Sequence, residues 1–243
     1  MKKNILITGA TSGIGFSLFK KYIKKNYQLY LIGRNFFNVN KIIINKKDKQ
    51  KVSKIKFDFK NSLKKFDFKK IPKLDHLVIA AGIAKHNLVK DFDEKIFDDV
   101  VNINLVQTAK FLALLIKKNK INNNASIVVV SSISGYKMAF NFHYAYSISK
   151  AGLVALTRSL ANELSSKMVR VNAVAPGMVS TPLANKLNKD KYFTNLDKEK
   201  YLLGKRYAKP SEIADVIDFL LSSKSSFITG QTIVVDGGFT LTK

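Results

Sequence analysis

Short apolar segments alternate with longer stretches of helical periodicity along this chain, and this alternation limits its possible folds more than any other feature. Seven segments of four to seven residues are rich in Ile, Val and Leu and predict strands. They are 4–8, 28–32, 54–58, 74–80, 126–130, 169–175 and 232–235. Four stretches between them, 14–25, 93–118, 145–164 and 211–221, predict helices. Strands joined through helices indicate a parallel sheet.

The predicted strands are apolar along nearly their whole length, which indicates that both faces of the sheet are buried. We therefore expect an α/β fold in which helices cover both faces of a doubly wound sheet of about seven strands. No Pro, Gly or Ser-rich linker divides the 243 residues, so 1–243 is interpreted as a single domain. Residues 36–73 predict only short helices, and 181–205 predicts a loop and helix inserted near the substrate.

Cysteine is absent and only three residues are His, which excludes disulfides and thiolate nucleophiles and predicts no metal site. The first apolar run, Ile5 to Ile7, is too short for a signal peptide. No stretch looks apolar enough over a sufficient length to span a bilayer. These observations predict a cytoplasmic protein without a membrane partner.

The formal net charge is +25, from 42 basic and 17 acidic residues. Such a charge can attract nucleic acid, an anionic membrane or an acidic protein. However, 38 of the basic residues are Lys and 20 residues are Asn, a bias that an AT-rich genome also produces. The Lys residues form short scattered clusters without interleaved aromatic residues, so no specific nucleic-acid partner is predicted. Solvated Lys faces and an acidic protein partner both remain open.

A glycine-rich turn follows the first predicted strand directly and leads into the first helix. It reads Thr8-Gly9-Ala10-Thr11-Ser12-Gly13-Ile14-Gly15. Gly9 permits a tight turn, Gly13 allows a pyrophosphate to approach the backbone, and Gly15 allows close helix packing. The free N–H groups at the start of the helix favour an anion. The turn therefore predicts a dinucleotide site.

The residues after the second strand, Gly33-Arg34-Asn35, indicate which dinucleotide is bound. An NAD site normally has an Asp or Glu here that accepts hydrogen bonds from the ribose, and the first acid downstream is Asp48. Arg34 instead stands where a 2′-phosphate would lie, so the sequence favours NADP(H). An isolated Arg that simply faces solvent is the alternative.

Polar residues at two places in the second half predict the chemistry. Tyr146 and Lys150 share one face of a predicted helix, although the pair Tyr201 and Lys205 has the same spacing. Ser132 lies at the carboxyl end of the fifth strand, where open α/β sheets bind ligands. Asn104 interrupts an otherwise apolar helix, which indicates either a structural hydrogen bond or a polar network.

These motifs occur in an order that resembles the short-chain dehydrogenase/reductase family over nearly the whole chain. The glycine turn, Asp58, the Ala80-Ala81-Gly82 turn and the set Asn104, Ser132, Tyr146 and Lys150 match family motifs. Residues 170–177, 210–214, 228–231 and 235–238 are similar in particular to the 3-oxoacyl-[acyl-carrier-protein] reductase branch. The resemblance implies a Rossmann-type fold, an NADPH-dependent reductase that converts a ketone to a secondary alcohol, and a homotetramer.

The resemblance also implies a role for individual residues. Ser132 would hydrogen-bond the substrate carbonyl and Tyr146 would supply the proton. Lys150 would stabilise the Tyr146 phenolate and hold the ribose, and Asn104 would hold a water for a proton relay. The implied cofactor site comprises Gly9, Thr11, Ser12, Gly13, Ile14, Gly15, Arg34, Asn35, Asp58, Phe59, Ala80, Ala81, Gly82, Tyr146, Lys150, Pro176, Gly177, Val179 and Thr181.

The chain departs from the family pattern in several places. Ala80 replaces an Asn that normally ties neighbouring strands, and Ser132 and Tyr146 stand one residue further apart than usual. The span from Asp58 to Gly82 is short, which predicts a curtailed third crossover helix. Of two basic positions that bind the acidic carrier in this branch, one matches Lys167 and the other falls near Asn123.

The substrate pocket is expected between 83–87, 136–142 and 181–205. Its candidate lining residues are Met138, Phe140, Phe142, Met178, Leu183, Leu187, Phe193, His86 and His143. An apolar pocket with basic residues suits a 3-oxoacyl thioester carried by acyl carrier protein. A keto sugar, a polyol or another small ketone is the alternative substrate, and a non-catalytic cofactor-binding protein is the alternative outside enzymes.

Overall fold

The computed structural model describes residues 2–85, 88–138, 140–187 and 197–242, with the backbone alone at 186–187. A seven-stranded parallel sheet has the strand order β3-β2-β1-β4-β5-β6-β7. The strands are β1 Lys3–Thr8, β2 Tyr27–Gly33, β3 Val52–Lys56, β4 Leu74–Ile79, β5 Ile121–Val130, β6 Arg170–Pro176 and β7 Thr232–Val235. The predicted doubly wound sheet is confirmed, and each predicted strand is present within a few residues.

Helices cover both faces of the sheet, as the apolar strands predicted. Side chains of α1 (Gly13–Tyr22) and α8 (Pro210–Leu221) are buried on one face. Side chains of α5 (Gln107–Lys117) and α6 (Tyr144–Glu163) are buried on the other face, and α4 (Glu94–Val101) precedes α5. The short helices are α2 (Phe37–Ile42), α3 (Lys46–Lys51) and α7 (Pro182–Leu187).

Alternation along β1 distributes its side chains between two apolar cores. Ile5 and Ile7 pack with Phe19 of α1 on one face, whereas Leu6 joins the core beneath α5 and α6 on the other. All four residues are fully buried. A period of two along a strand with both faces covered produces this arrangement.

A cluster of phenylalanines replaces a long helix in the third crossover. The chain there forms only the 3₁₀ turns Leu63–Lys65 and Phe68–Lys70, which confirms the predicted curtailment. Phe66 makes edge-to-face contacts with Phe57, Phe68 and Phe111 at ring-centroid distances of 4.9, 4.8 and 5.3 Å. Aromatic packing therefore closes this side of the sheet.

We expected no stretch apolar enough to span a bilayer, but the helical stretch from Glu94 to Lys117 is long and apolar enough to do so. Among the residues that the structure describes, one helix has this length and composition. Val100, Phe111, Leu112 and Leu115 are fully buried in it. It packs as a core helix of the sheet.

A cleft opens where the strand order reverses, between β1 and β4. The crossovers leave these neighbouring strands in opposite directions, so their carboxyl ends are free for a ligand. The cavity there has a volume of about 770 Å³ and extends from the glycine turn to Phe239.

Candidate active site

The glycine turn brings backbone close to the cleft. Gly9 has a φ of +66°, and a Cβ there would lie 2.9 Å from the backbone of Ala80 and Ala81. A Cβ at Gly15 would collide with the Gly9 carbonyl oxygen, as close packing of helix on strand requires. Gly13, with a φ of +53°, leaves 3.1 Å between such an atom and Thr181 across the cleft. Side chains larger than hydrogen would fill this cradle.

The amino end of α1 is open toward the same cradle. Ser12 is the N-cap residue, and its side chain makes no capping hydrogen bond. Backbone N–H groups and the positive end of the helix dipole remain available for an anion. Thr11, Ser12, Gly13 and Ile14 line the cavity, whereas Gly15 lies behind it. The cradle fits a pyrophosphate.

Thr8 contacts the turn that follows β4, where Ala80 stands in place of the family's Asn. Its buried Oγ1 accepts hydrogen bonds from the N–H groups of Ala80 at 3.0 Å and Ala81 at 3.1 Å. Strand β1 is thereby tied to the turn that follows β4. Sequence reasoning missed this role, because Thr8 could be assigned it only once the two strands were known to be adjacent.

The outer end of the cleft carries Arg34 and Asp58. Arg34 Nη1 lies 4.0 Å from Asp58 Oδ2, and the Arg34 side chain is 71% exposed. Phe57, Phe59 and Lys60 line the same end, and sequence reasoning did not anticipate Phe57 or Lys60. Asn35 is not among the lining residues, and its side chain accepts a hydrogen bond from Phe37 N–H at 2.9 Å. The charges present suit a phosphorylated ribose.

Ser132 and Tyr146 meet at the inner end of the cleft. Ser132 lies two residues beyond the end of β5, and Tyr146 lies in the first turn of α6. Their side chains share a hydrogen bond. Burial raises the pKa of Tyr146 to about 12, and the hydrogen bond with Ser132 offsets part of this rise. Tyr146 is therefore protonated at neutral pH and can donate a proton.

Lys150 lies one turn beyond Tyr146 and is buried. Its Nζ donates to the Val130 carbonyl oxygen at 2.8 Å and lies 5.5 Å from the centre of the Tyr146 ring. Burial lowers the pKa of Lys150 to about 8. The resemblance implied that Lys150 stabilises the Tyr146 phenolate; in the structure burial is the larger influence on the pKa of Tyr146 and raises it.

The second Tyr–Lys pair differs from the first. Tyr201 also lines the cavity, but Lys205 is exposed and pairs with Glu199. Only the pair Tyr146 and Lys150 therefore places both side chains in the cleft.

Asn104 is fully buried in a π-helical turn, Asn102–Val106, between α4 and α5. Its Oδ1 accepts from Ile83 N–H at 2.8 Å, and its Nδ2 donates to the Ile83 carbonyl at 2.9 Å and to Ser149 Oγ at 3.1 Å. Both amide hydrogens are used, and Asn104 lies outside the cavity lining. In this structure the side chain ties the helix, the turn at Ile83 and α6 together.

The segment 176–181 forms the floor of the cleft after β6. Pro176, Gly177, Val179 and Thr181 line the cavity, as the resemblance implied. Gly177 N–H donates to the Val235 carbonyl at 3.1 Å, and Ser180 N–H donates to the Ala208 carbonyl at 2.8 Å. Within the described residues, the N–H groups of Val179 and Thr181 have no acceptor. These two groups are available to a ligand.

The substrate end of the cavity has an apolar wall. Of the expected residues, Ile83, Ala84, Phe140, Phe142, His143, Met178 and Leu183 line it. Met138 packs in the adjacent core instead. His86, Asn87, Phe193 and the side chain of Leu187 lie outside the described residues.

Asp197, Lys200 and Tyr201 line the cavity within the expected segment 181–205, although none of them was named as a lining residue, whereas Phe239 lies outside every expected segment. Phe239 reaches the cavity because Gly237 and Gly238, with φ of +60° and +82°, reverse the chain after β7. The Gly-Gly pair was the one available hint of this return.

Comparison with known proteins agrees with this geometry. A short-chain dehydrogenase model described as Enoyl-(Acyl carrier protein) reductase matches residues 9–240. The chain belongs to the short-chain dehydrogenase/reductase family. It is therefore an oxidoreductase of this family, and the family supports a nicotinamide cofactor.

Individual members of the short-chain dehydrogenase/reductase family are similar over nearly the whole chain. The 3-oxoacyl-[acyl-carrier-protein] reductase of Buchnera aphidicola is 32% identical, covering 98% of this chain and 97% of that protein. A 4-hydroxyisoleucine dehydrogenase complexed with NADH is 29% identical, covers all of both chains and has a TM-score of 0.87. ElxO with NADP bound is 27% identical over 98% of this chain and 99% of that chain, with a TM-score of 0.82.

Proposed function

We propose that this protein uses NADPH to reduce the ketone of a 3-oxoacyl thioester to a secondary alcohol. The observation that carries this proposal is the hydrogen-bonded pair of Ser132 and Tyr146, which faces an apolar cavity next to the dinucleotide cradle. The similarity to a 3-oxoacyl-[acyl-carrier-protein] reductase supports the substrate class.

The chemistry needs a hydride at carbon and a proton at oxygen. When bound, NADPH supplies the hydride from its nicotinamide ring. Ser132 donates a hydrogen bond to the ketone oxygen, and Tyr146 transfers its phenolic proton to the alkoxide that develops there. The pKa of about 12 keeps Tyr146 protonated before the reaction, which suits the reductive direction.

Lys150 has two roles in this proposal. Its ammonium holds a ribose hydroxyl of the cofactor and stabilises the tyrosinate that remains after proton transfer. The ammonium has three donors, and the Val130 carbonyl accepts from one of them, so the others can reach these partners. Asn104 supports the site by holding the turn at Ile83 against α6.

The cofactor residues proposed for NADPH divide into three groups. The glycine turn binds the pyrophosphate, Arg34 binds the 2′-phosphate while Asp58 contacts the adenine, and Val179 and Thr181 bind the nicotinamide amide. The absence of an acidic residue at 33–35 supports the preference for NADPH.

A second candidate is the oxidation or reduction of a smaller polar substrate. Asp197 and Lys200 bring charge to the cavity wall, which suits a substrate with polar substituents. The fold similarity to 4-hydroxyisoleucine dehydrogenase is compatible with this alternative.

Docking of an acyl carrier protein at Lys167 would need more than one subunit. The turn Ser165–Lys167 precedes β6 and contacts β5, at the sheet edge opposite the cleft. We propose a cytoplasmic homotetramer, in which a carrier bound near Lys167 of one subunit serves the cleft of another.

The function is tested by following NADPH oxidation with 3-oxoacyl thioesters, keto sugars and simple ketones. We expect kcat/KM to be highest for the thioesters, and we expect Tyr146→Phe to abolish turnover while NADPH binding survives. Tyr144→Phe is the matched control on the same helix, because its hydroxyl has no hydrogen-bond partner within the described residues. Highest efficiency with a keto sugar or simple ketone would transfer the assignment to the second candidate. Full activity of Tyr146→Phe would refute the mechanism.

A further inference from the structure

We propose that Tyr201 is a positioning residue for the nicotinamide half of the cofactor, acting through the backbone of Met178. This inference rests on the proposed use of a nicotinamide cofactor. Tyr201 lies in the segment that follows α7. It belongs neither to the glycine turn nor to the Ser132–Tyr146 pair.

The contact that supports the proposal is short and buried. The Tyr201 hydroxyl accepts a hydrogen bond from Met178 N–H at 2.9 Å, and Tyr201 is only 2% exposed. Burial also raises the pKa of Tyr201, so the hydroxyl stays neutral. Without this oxygen, a backbone donor in the cleft floor would lose its acceptor, at a cost that proteins rarely accept.

Hydrogen bonds along 176–181 show what the contact fixes. Backbone carbonyls accept from the N–H groups of Gly177 and Ser180, and Ala208 N–H donates to the Met178 carbonyl at 3.0 Å. Tyr201 supplies the side-chain acceptor for the intervening N–H of Met178. The two N–H groups left over in the described structure are those of Val179 and Thr181, on either side of Ser180. Every other N–H group of 177–181 has an acceptor within the protein. The N–H groups of Val179 and Thr181 are therefore the donors that a ligand can use.

Packing around the Tyr201 ring keeps the hydroxyl in place. The ring lies 4.7 Å from Phe239 and 5.6 Å from Tyr207, measured between centroids. A Cβ at Gly177 would lie only 3.2 Å from Tyr201 Cε1, so the ring sits directly against the cleft floor. Leu203 N–H also donates to the Gly237 carbonyl at 3.1 Å. Tyr201 therefore joins the cleft floor, the segment after α7 and the end of the chain.

This arrangement makes a selective prediction for Tyr201→Phe. The ring and its packing remain, whereas Met178 N–H loses its acceptor and the backbone at Val179 and Thr181 can shift. Contacts to the nicotinamide amide weaken, whereas the pyrophosphate cradle and Arg34 belong to other segments and touch this one through Gly13 and the Thr181 side chain. The loss should therefore appear mainly with ligands that carry nicotinamide.

The experiment compares two ligands by calorimetry. NADPH carries the nicotinamide, and 2′-phospho-ADP-ribose lacks it. We expect Tyr201→Phe to weaken NADPH binding by about fivefold or more and to change the Kd of 2′-phospho-ADP-ribose by less than about twofold. Unchanged fragment binding also shows that the variant is folded.

Tyr207→Phe is the matched control. Tyr207 lies in the same aromatic cluster and is similarly buried, but its hydroxyl bonds the Asp197 carboxylate instead of the cleft floor. We expect the ratio of the two dissociation constants to stay at the wild-type value in this variant. If the ratio of the two dissociation constants in Tyr201→Phe equals the wild-type ratio, the proposal is overturned. This includes the case in which Tyr201→Phe weakens both ligands by the same factor.

Amide hydrogen exchange on the unmutated protein gives a second test that does not depend on the variant folding. Met178 N–H should be protected without ligand, whereas Val179 and Thr181 should become protected with NADPH and not with 2′-phospho-ADP-ribose. Fast exchange of Met178 in the free protein would refute the role of Tyr201. Failure of wild type to bind NADPH would instead refute the proposed cofactor, and NADH with ADP-ribose would then provide the same comparison.

Discussion

Arg34 is expected to determine the choice between NADPH and NADH, and removing its charge gives the most direct test. The perturbation is Arg34→Gln, which keeps a polar side chain at the outer end of the cleft but removes the charge and the terminal guanidinium nitrogens. Strand β2 ends at Gly33, which pairs with Lys56 of β3, so position 34 lies just outside the sheet. The substitution should therefore change the contact with the 2′-phosphate and leave the sheet intact.

The magnitude follows from the exposure of the side chain. A charge-assisted contact between Arg and phosphate contributes about 1.5–3 kcal/mol. Arg34 is 71% exposed, and Asp58 lies 4.0 Å away with a charge that repels phosphate. Both effects favour the lower end of that range, because solvent screens exposed charge pairs. About 1.4 kcal/mol corresponds to a tenfold change in affinity.

The assay measures the Kd and kcat/KM of NADPH and NADH for wild type, Arg34→Gln and Arg158→Gln. Arg158 is exposed on the outer side of α6 and serves as the control for losing one positive charge. We expect wild type to bind NADPH at least about tenfold more tightly than NADH. Arg34→Gln should remove most of that preference without changing NADH binding, and Arg158→Gln should keep it.

Two results would refute this reasoning: equal efficiency of wild type with both cofactors, or an unchanged preference in Arg34→Gln. Reversing the cofactor preference in favour of NADH needs a further substitution, at a residue that contacts Gly33. A Cβ at Gly33 would collide with the Thr11 side-chain methyl, so replacing Gly33-Arg34 by Asp-Ile should be combined with Thr11→Ser. The triple variant is expected to prefer NADH.

Three further predictions concern stability, partners and assembly. Burial lowers the pKa of His76 to about 4, below its ordinary value of 6.5, so the unfolded chain binds a proton first. The free energy of unfolding should fall by up to about 3 kcal/mol between pH 6.5 and pH 4; chemical denaturation should show this loss, and His76→Leu should flatten it. The rate with an acyl-carrier-protein substrate should fall steeply as salt is added and in Lys167→Glu, while the rate with a small thioester should barely change. Parallel salt curves for the two substrates would exclude carrier docking. Sedimentation at micromolar concentration should show a tetramer, and a monomer would contradict it.

Local sequence patterns were sufficient for the architecture and for placing the glycine turn at the cleft. The strands β1 to β7 could be recognised from their own residues, because the length, period and composition of an apolar run are local properties of the sequence. The cradle likewise depends on glycines within eight consecutive residues, Thr8 to Gly15, where the need for positive φ and close approach is readable in sequence. The position of Arg34 after β2 is fixed in the same way.

Contacts between distant segments could be decided only by the tertiary structure. Thr8 accepts from Ala80 across 72 positions, and Tyr201 accepts from Met178 across 23. The burial that sets the pKa of Tyr146, and leaves Lys150 bonded to Val130, depends on how α6 packs against the end of β5. Hydrogen bonds and desolvation act over a few ångströms, so their partners follow from which parts of the chain folding brings together, and spacing along the sequence does not contain that information.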